Sequence, residues 1–126
     1  MPGHSTAMIY AYPHLASVQR DYKLQDHWGV FDPTLDPTKP STYTFLDSLL
    51  TEVASLFPDQ YFHIGGDENT GRDWKRNPAI QAFMKENGLK TTLALQNYFN
   101  RKVQAILQEN GKIAIGWDEV LMKEVD

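Results

Sequence analysis

The sequence has no cysteine among its 126 residues. A disulfide scaffold, a thiolate zinc site and a cysteine nucleophile are therefore all excluded. It also lacks any long apolar run. The longest is Ala7 to Tyr12, far short of the roughly 20 residues that a membrane-spanning helix needs. There is no basic excess: 12 Lys and Arg stand against 16 Asp and Glu, a formal charge of −4. A mildly acidic balance gives no electrostatic footprint for nucleic acid or for an anionic membrane surface. Met1-Pro2-Gly3-His4 is not a basic stretch followed by an apolar one, so no secretory signal is read there. No internal repeat and no low-complexity tract is present. What remains is ordinary globular composition, 41% hydrophobic and 22% charged, which argues for a packed chain of one domain at most.

Residues 1–40 read as irregular, punctuated by Pro2, Pro13, Pro33, Pro37 and Pro40, with a short helix expected across Thr6 to Tyr12 that Pro13 ends. A loop region of this length inside a compact chain points to function. From Ser41 the pattern turns helical. Leu46, Leu49, Leu50, Val53, Ala54 and Phe57 fall at steps of three and four. Ser41 or Thr42 is the expected cap, and Pro58 the stop. Tyr61-Phe62-His63-Ile64 reads as a short strand that Gly65-Gly66 ends. Asn77-Pro78 opens a second helix, which carries Ile80, Phe83 and Met84 inward and closes at Gly88. A third runs from about Thr92 to Asn110 with a stripe of Leu95, Tyr98, Phe99, Val103, Ile106 and Leu107, and Gly111 stops it. Lys112 to Trp117 is a second strand, apolar enough to be buried on both faces, and a last helix can follow it. Strand, helix, strand alternation implies a parallel α/β sheet. Two strands do not make a stable sheet alone, so the chain reads as a slice of a larger fold unless it pairs with other chains.

The chemistry-bearing residues gather at the strand ends. Asp67 and Glu68 follow Gly65-Gly66 at the C-terminal end of the first strand, where active sites of parallel α/β folds lie. Adjacent side chains on a regular strand point to opposite faces. Both carboxylates face one site only if the strand breaks, and Gly-Gly supplies a break. Two close carboxyls in a partly apolar pocket can take different pKa values and so different roles. The competing reading is a solvated acidic turn. Trp117-Asp118-Glu119 ends the second strand in the same way. Its indole suits stacking on a sugar ring, or else capping of the core. His4, near the terminus, reads as a surface residue by itself. His63 shares the face of Gly65 and reads as a core histidine or as support for the site. Trp28 and Trp74 fall in loops and carry little weight.

Taken together, these residues resemble a known family. His63-Ile64-Gly65-Gly66-Asp67-Glu68 is similar to the signature of the β-N-acetylhexosaminidases of glycoside hydrolase family 20. Pro2-Gly3-His4-Ser5, Leu35-Asp36-Pro37-Thr38, Leu56-Phe57-Pro58-Asp59, Trp74 through Met84 and Gly116-Trp117-Asp118-Glu119 resemble that family in the same order. The resemblance implies a (β/α)8 TIM barrel, of which residues 1–126 would be a part, from about the end of strand 3 through strand 5 with the intervening helices. Outside it would lie an early-strand arginine and the later-strand Trp, Tyr and Asp that complete the family's pocket. The implied activity is hydrolysis of terminal non-reducing N-acetyl-D-hexosamine with retention, assisted by the substrate's own acetamido group. Glu68 would be the general acid and base, its pKa raised by burial near Trp117. Asp67 would orient the acetamido group, stabilise the oxazolinium and help keep Glu68 protonated. His4, His63 and Trp117 would bind substrate or support the pair.

No metal and no organic cofactor is implied. The expected partners are glycans ending in N-acetylglucosamine or N-acetylgalactosamine, with self-association or pairing with further barrel segments, and neither nucleic acid nor membrane. The compartment the family implies is periplasmic, secreted or lysosomal. Two other readings remain open from the residues: a barrel segment without activity of its own, and a carbohydrate-binding module built on Trp28, Trp74 and Trp117.

Overall fold

The computed structural model describes residues 1–121. Their order is α1 (Thr6–Ala11), a 3-10 turn (Pro13–Leu15), α2 (Pro40–Leu56), β1 (Tyr61–His63), α3 (Arg72–Arg76), α4 (Pro78–Glu86), α5 (Thr92–Glu109), β2 (Ile113–Ile115) and a 3-10 turn at Asp118–Leu121. The helix expected after the second strand is this one turn as far as it falls within the described residues.

Helix α2 starts earlier than its hydroxyl residues suggested. Lys39, extended and without a side-chain cap, precedes Pro40 at the first helical position, where proline's fixed φ suits the helix and its missing N–H costs nothing. Thr42 is instead fully buried. Leu46, Leu50 and Ala54 face inward as their spacing predicts, whereas Phe57 lies beyond the helix end and is exposed. The caps of α4 and α5 are side chains. Asn77 accepts from the N–H groups of Ala79 and Ile80, and Thr91 accepts from that of Ala94, each satisfying donors that a first turn leaves free.

Strands β1 and β2 pair in parallel, Tyr61 with Ile113, Phe62 with Ala114 and His63 with Ile115. Helices α2 and α5 pack together, and Leu46, Leu50, Phe99, Val103 and Leu107 join Ile64, Ile9, Leu15 and Leu35 in one core. A second cluster of Trp74, Ile80, Met84 and Leu95 lies under α3 and α4. The sheet is covered on one side only. Ile113 and Ile115 are 50% and 42% exposed, and only Ala114 between them turns inward. The expected burial of β2 on both faces is thus corrected: among the described residues one of its faces is left open.

Residues 17–36 are irregular but anchored. The indole N–H of Trp74 donates to the Leu35 carbonyl at 3.0 Å, and Asn77 donates to the Ser17 carbonyl at 2.6 Å. Arg20 forks onto both oxygens of Asp73, at 3.2 and 2.9 Å. Trp74 is therefore no loop residue. It sits in α3 with no exposed surface, whereas Trp28 is fully exposed.

Candidate active site

The pairing of β1 and β2 runs on past the strands, through Ile64 N–H to the Ile115 carbonyl at 2.8 Å and Trp117 N–H to the Gly65 carbonyl at 3.0 Å. The two chains then turn at the same end. Gly66 has φ +101, and a Cβ there would lie 2.2 Å from Val120 Cγ1. A Cβ on Gly116 would lie 2.7 Å from the Gly65 carbonyl oxygen. Both contacts are far inside van der Waals range, so glycine is what lets the strand ends close on each other.

This turn delivers the carboxylates. Glu68 takes φ +50 and His4 φ +52, left-handed conformations that are uncommon for residues with a side chain. Ser5 closes the His4 turn, its hydroxyl donating to the Pro2 carbonyl at 2.7 Å. The result joins two distant parts of the sequence. His4 Nε2 lies 3.1 Å from Glu68 Oε2 and 3.6 Å from Asp67 Oδ2. Asp67 and Glu68 therefore face one site, as the Gly-Gly break predicted, and His4 is no isolated surface residue. Glu68 is about half exposed here, at 53%. The apolar burial expected around it is not supplied by the described residues.

His63 is exposed, which corrects its reading as a core histidine. Its Nδ1 accepts the N–H of Gly65 at 3.1 Å, and its ring meets that of Trp117 edge-on at 4.9 Å. Trp117 is itself 55% exposed at the rim, so it does not cap the core. Beside the acid pair runs a cleft of about 440 Å³, with Val30, Glu68, Asn69, Gln96 and Glu119 among its walls. Among the described residues, His4, Asp67 and Glu68 also offer ligand atoms that lie within 4.8 Å of one another. Sequence reasoning missed Val30, Asn69 and Gln96. The only signal for Gln96 was a polar side chain beside Leu95 on the inward stripe of a helix.

Comparison with known proteins places the chain in a family. Residues 1–126 match the model of the glycosyl hydrolase family 20 catalytic domain. The chain belongs to that family. A β-hexosaminidase of Porphyromonas gingivalis is 45% identical over 121 residues, which is 96% of this chain and 16% of that protein. The crystal structure of Flavobacterium johnsoniae chitobiase superposes with a TM-score of 0.93 at 48% identity, covering 98% of this chain and 19% of that one. A family 20 exo-β-N-acetylglucosaminidase from Vibrio harveyi, in complex with N-acetylglucosamine, superposes with a TM-score of 0.77 at 36% identity over 94% of this chain and 19% of its own. The chain thus spans no more than about a fifth of each of these family 20 relatives.

Proposed function

We propose that these residues are the acid–base part of a β-N-acetylhexosaminidase barrel, from about the end of its third strand through its fifth. Such an enzyme removes terminal N-acetylglucosamine or N-acetylgalactosamine from the non-reducing ends of glycans with retention. The observation that carries the reading is the convergence of His4, Asp67 and Glu68 within 3.1–3.6 Å at the strand ends. The names of the relatives, and the N-acetylglucosamine bound by the Vibrio harveyi enzyme, support the substrate class.

In this reading the oxygen of the sugar's acetamido group attacks the anomeric carbon as the glycosidic bond breaks. Glu68 gives its proton to the departing oxygen. Asp67 accepts the acetamido N–H, holds that group in line and offsets the positive charge of the oxazolinium ring that forms. Glu68, now a carboxylate, takes a proton from the water that opens the ring, and the original configuration returns. His4, 3.1 Å from Glu68 Oε2, steadies the Glu68 carboxylate. Trp117 walls the acetamido methyl, and His63 braces Trp117 and the Gly65 turn. The uncovered side of the sheet, with Ile113 and Ile115 exposed, is where further strands of the barrel would pack. It favours a second statement: the 126 residues by themselves turn over little or no substrate.

The test uses a complete barrel carrying these residues, either the natural one or the Flavobacterium johnsoniae chitobiase with its matching segment exchanged. Glu68→Gln should lower kcat on an aryl N-acetylglucosaminide by about 10²–10⁴-fold, the usual worth of a positioned acid. An unchanged kcat would overturn the assignment. Turnover by the isolated chain at the rate of the complete barrel would overturn the second statement.

A further inference from the structure

Gln96 sits on α5 with 6% of its surface exposed, directly beneath the turn that carries the acid pair. Its Nε2 donates to the Gly66 carbonyl at 2.6 Å. Its Oε1 accepts from Asn69 Nδ2 at 2.9 Å. Asn69 Oδ1 in turn accepts the Gly71 N–H at 3.1 Å. These contacts leave neither amide a choice of orientation. The Gly71 N–H needs an oxygen, so Asn69 must turn its NH2 group towards Gln96. That group needs an acceptor, which leaves the NH2 of Gln96 for the Gly66 carbonyl. One buried side chain therefore grips the turn immediately before Asp67 and immediately after Glu68.

The grip has something to hold. Glu68 is a non-glycine residue at φ +50, a conformation that persists only where the surroundings impose it. The far end of Gln96 is firm, because α5 is set into the core by Phe99, Val103 and Leu107. Gln96 carries no charge, so it fixes the place of the carboxylates without adding a full charge beside them. Within a buried network of this kind, each partner depends on the others being satisfied.

We propose that Gln96 is a positioning residue for catalysis. Through Asn69, braced from Gly66, it holds Glu68 at the height and angle from which that carboxyl reaches the departing oxygen. This rests on Glu68 being the proton donor. Misplacing that donor slows bond breaking where the leaving oxygen needs a proton, and hardly at all where it departs as a stable anion. A residue that merely keeps the protein folded makes no such distinction.

The experiment compares kcat/KM, which reports the first bond-breaking step, on two substrates in the complete barrel. One is the β-linked disaccharide of N-acetylglucosamine. The other is the dinitrophenyl N-acetylglucosaminide, whose leaving group needs no proton. Gln96→Leu keeps the bulk and removes both hydrogen bonds. It should lose about 10–100-fold on the disaccharide, the scale of an ångström's misplacement, and less than about threefold on the dinitrophenyl substrate. Glu68→Gln runs alongside and should show the same selectivity more strongly. Equal losses on both substrates, or none on either, for Gln96→Leu beside a selective Glu68→Gln would overturn the role of Gln96 alone. A Glu68→Gln without selectivity would overturn the proton-donor reading and this inference with it. If Gln96→Leu does not fold, Asn69→Ala cuts the same grip from the cleft side and is judged by the same criterion.

Discussion

Two carboxylate sites in this chain are built on opposite plans. Asp73 has no exposed side-chain surface, and Arg20 forks onto it with Arg76 at 3.6 Å. Asp67 and Glu68 stand at an open rim, and the base beside them is a histidine. A guanidinium keeps its charge at any pH the protein meets, so the Arg20–Asp73 pair works as a fixed brace between the 17–36 loop and α3. The histidine instead sets one ring nitrogen within reach of both carboxylates. Burial with a forked partner makes structure, and partial exposure leaves the acid pair open to a ligand. One chain uses both within a few residues, and α3 begins just after the turn that carries the reacting pair.

The contrast can be broken at either site. The largest effect belongs to the rim. Glu68→Gln should remove about 10²–10⁴ of kcat while leaving the unfolding midpoint where it was, since the carboxylate is half exposed and its partner is a neighbouring exposed ring. A large drop in stability would mean that the acid pair is structural after all. At the brace the outcome inverts. Arg20→Leu takes both hydrogen bonds from a buried carboxylate and leaves Arg76 at 3.6 Å as its neighbouring cation, and urea unfolding should show a loss of about 3 kcal/mol. Asp73→Asn should cost less, about 1–2 kcal/mol, because Arg20 retains access to water and the amide keeps an acceptor. Equal costs for the two variants would show that the stranded charge is not what matters.

A smaller difference separates the tryptophans. Trp74 donates its buried indole N–H to the Leu35 carbonyl; Trp74→Phe removes that bond while the Ser17 hydroxyl still donates to the same oxygen at 2.9 Å, and it should cost about 1 kcal/mol in the same assay. Trp117→Phe at the rim should move stability by no more than about 0.5 kcal/mol, and any change should fall on substrate handling instead. The sequence put these two residues in the reverse light. Trp117 stood out at a strand end, while Trp74 passed for a loop residue, because Arg72–Arg76 is too short to show a helical period. Elements with their own punctuation were legible. Asn77-Pro78 opened α4, and Gly88 and Gly111 closed α4 and α5, because caps and stops are local chemistry. Burial was legible only in part. Ile113 and Ile115 have the composition of covered residues, yet among the described residues they stand about half exposed. At the site, Gly65-Gly66 announced Asp67 and Glu68. His4 entered through a resemblance alone, since no local pattern ties it to residues so far along the chain, and Gln96 was hidden inside a helical stripe.

The finest test of the brace is its pH dependence. Burial pushes the Asp73 carboxyl above its ordinary value of 3.8, with the charge and hydrogen bonds of Arg20 pulling the other way. The folded state therefore holds this proton more tightly than the unfolded chain does. Between 3.8 and the raised value, the unfolded state binds fewer protons than the folded one, so this group's contribution to stability falls as pH rises through that window and is level above it. An ordinary salt-bridged aspartate, its pKa lowered, would do the reverse and lose stability on acidification. Measured as unfolding free energy of the parent minus that of Asp73→Asn across the acid range, the difference should decline with rising pH and then flatten. A difference that instead grows with pH would mean that attraction to Arg20 outweighs burial, and the brace would then be a stabilising ion pair of the ordinary kind rather than a charge tolerated for the sake of position.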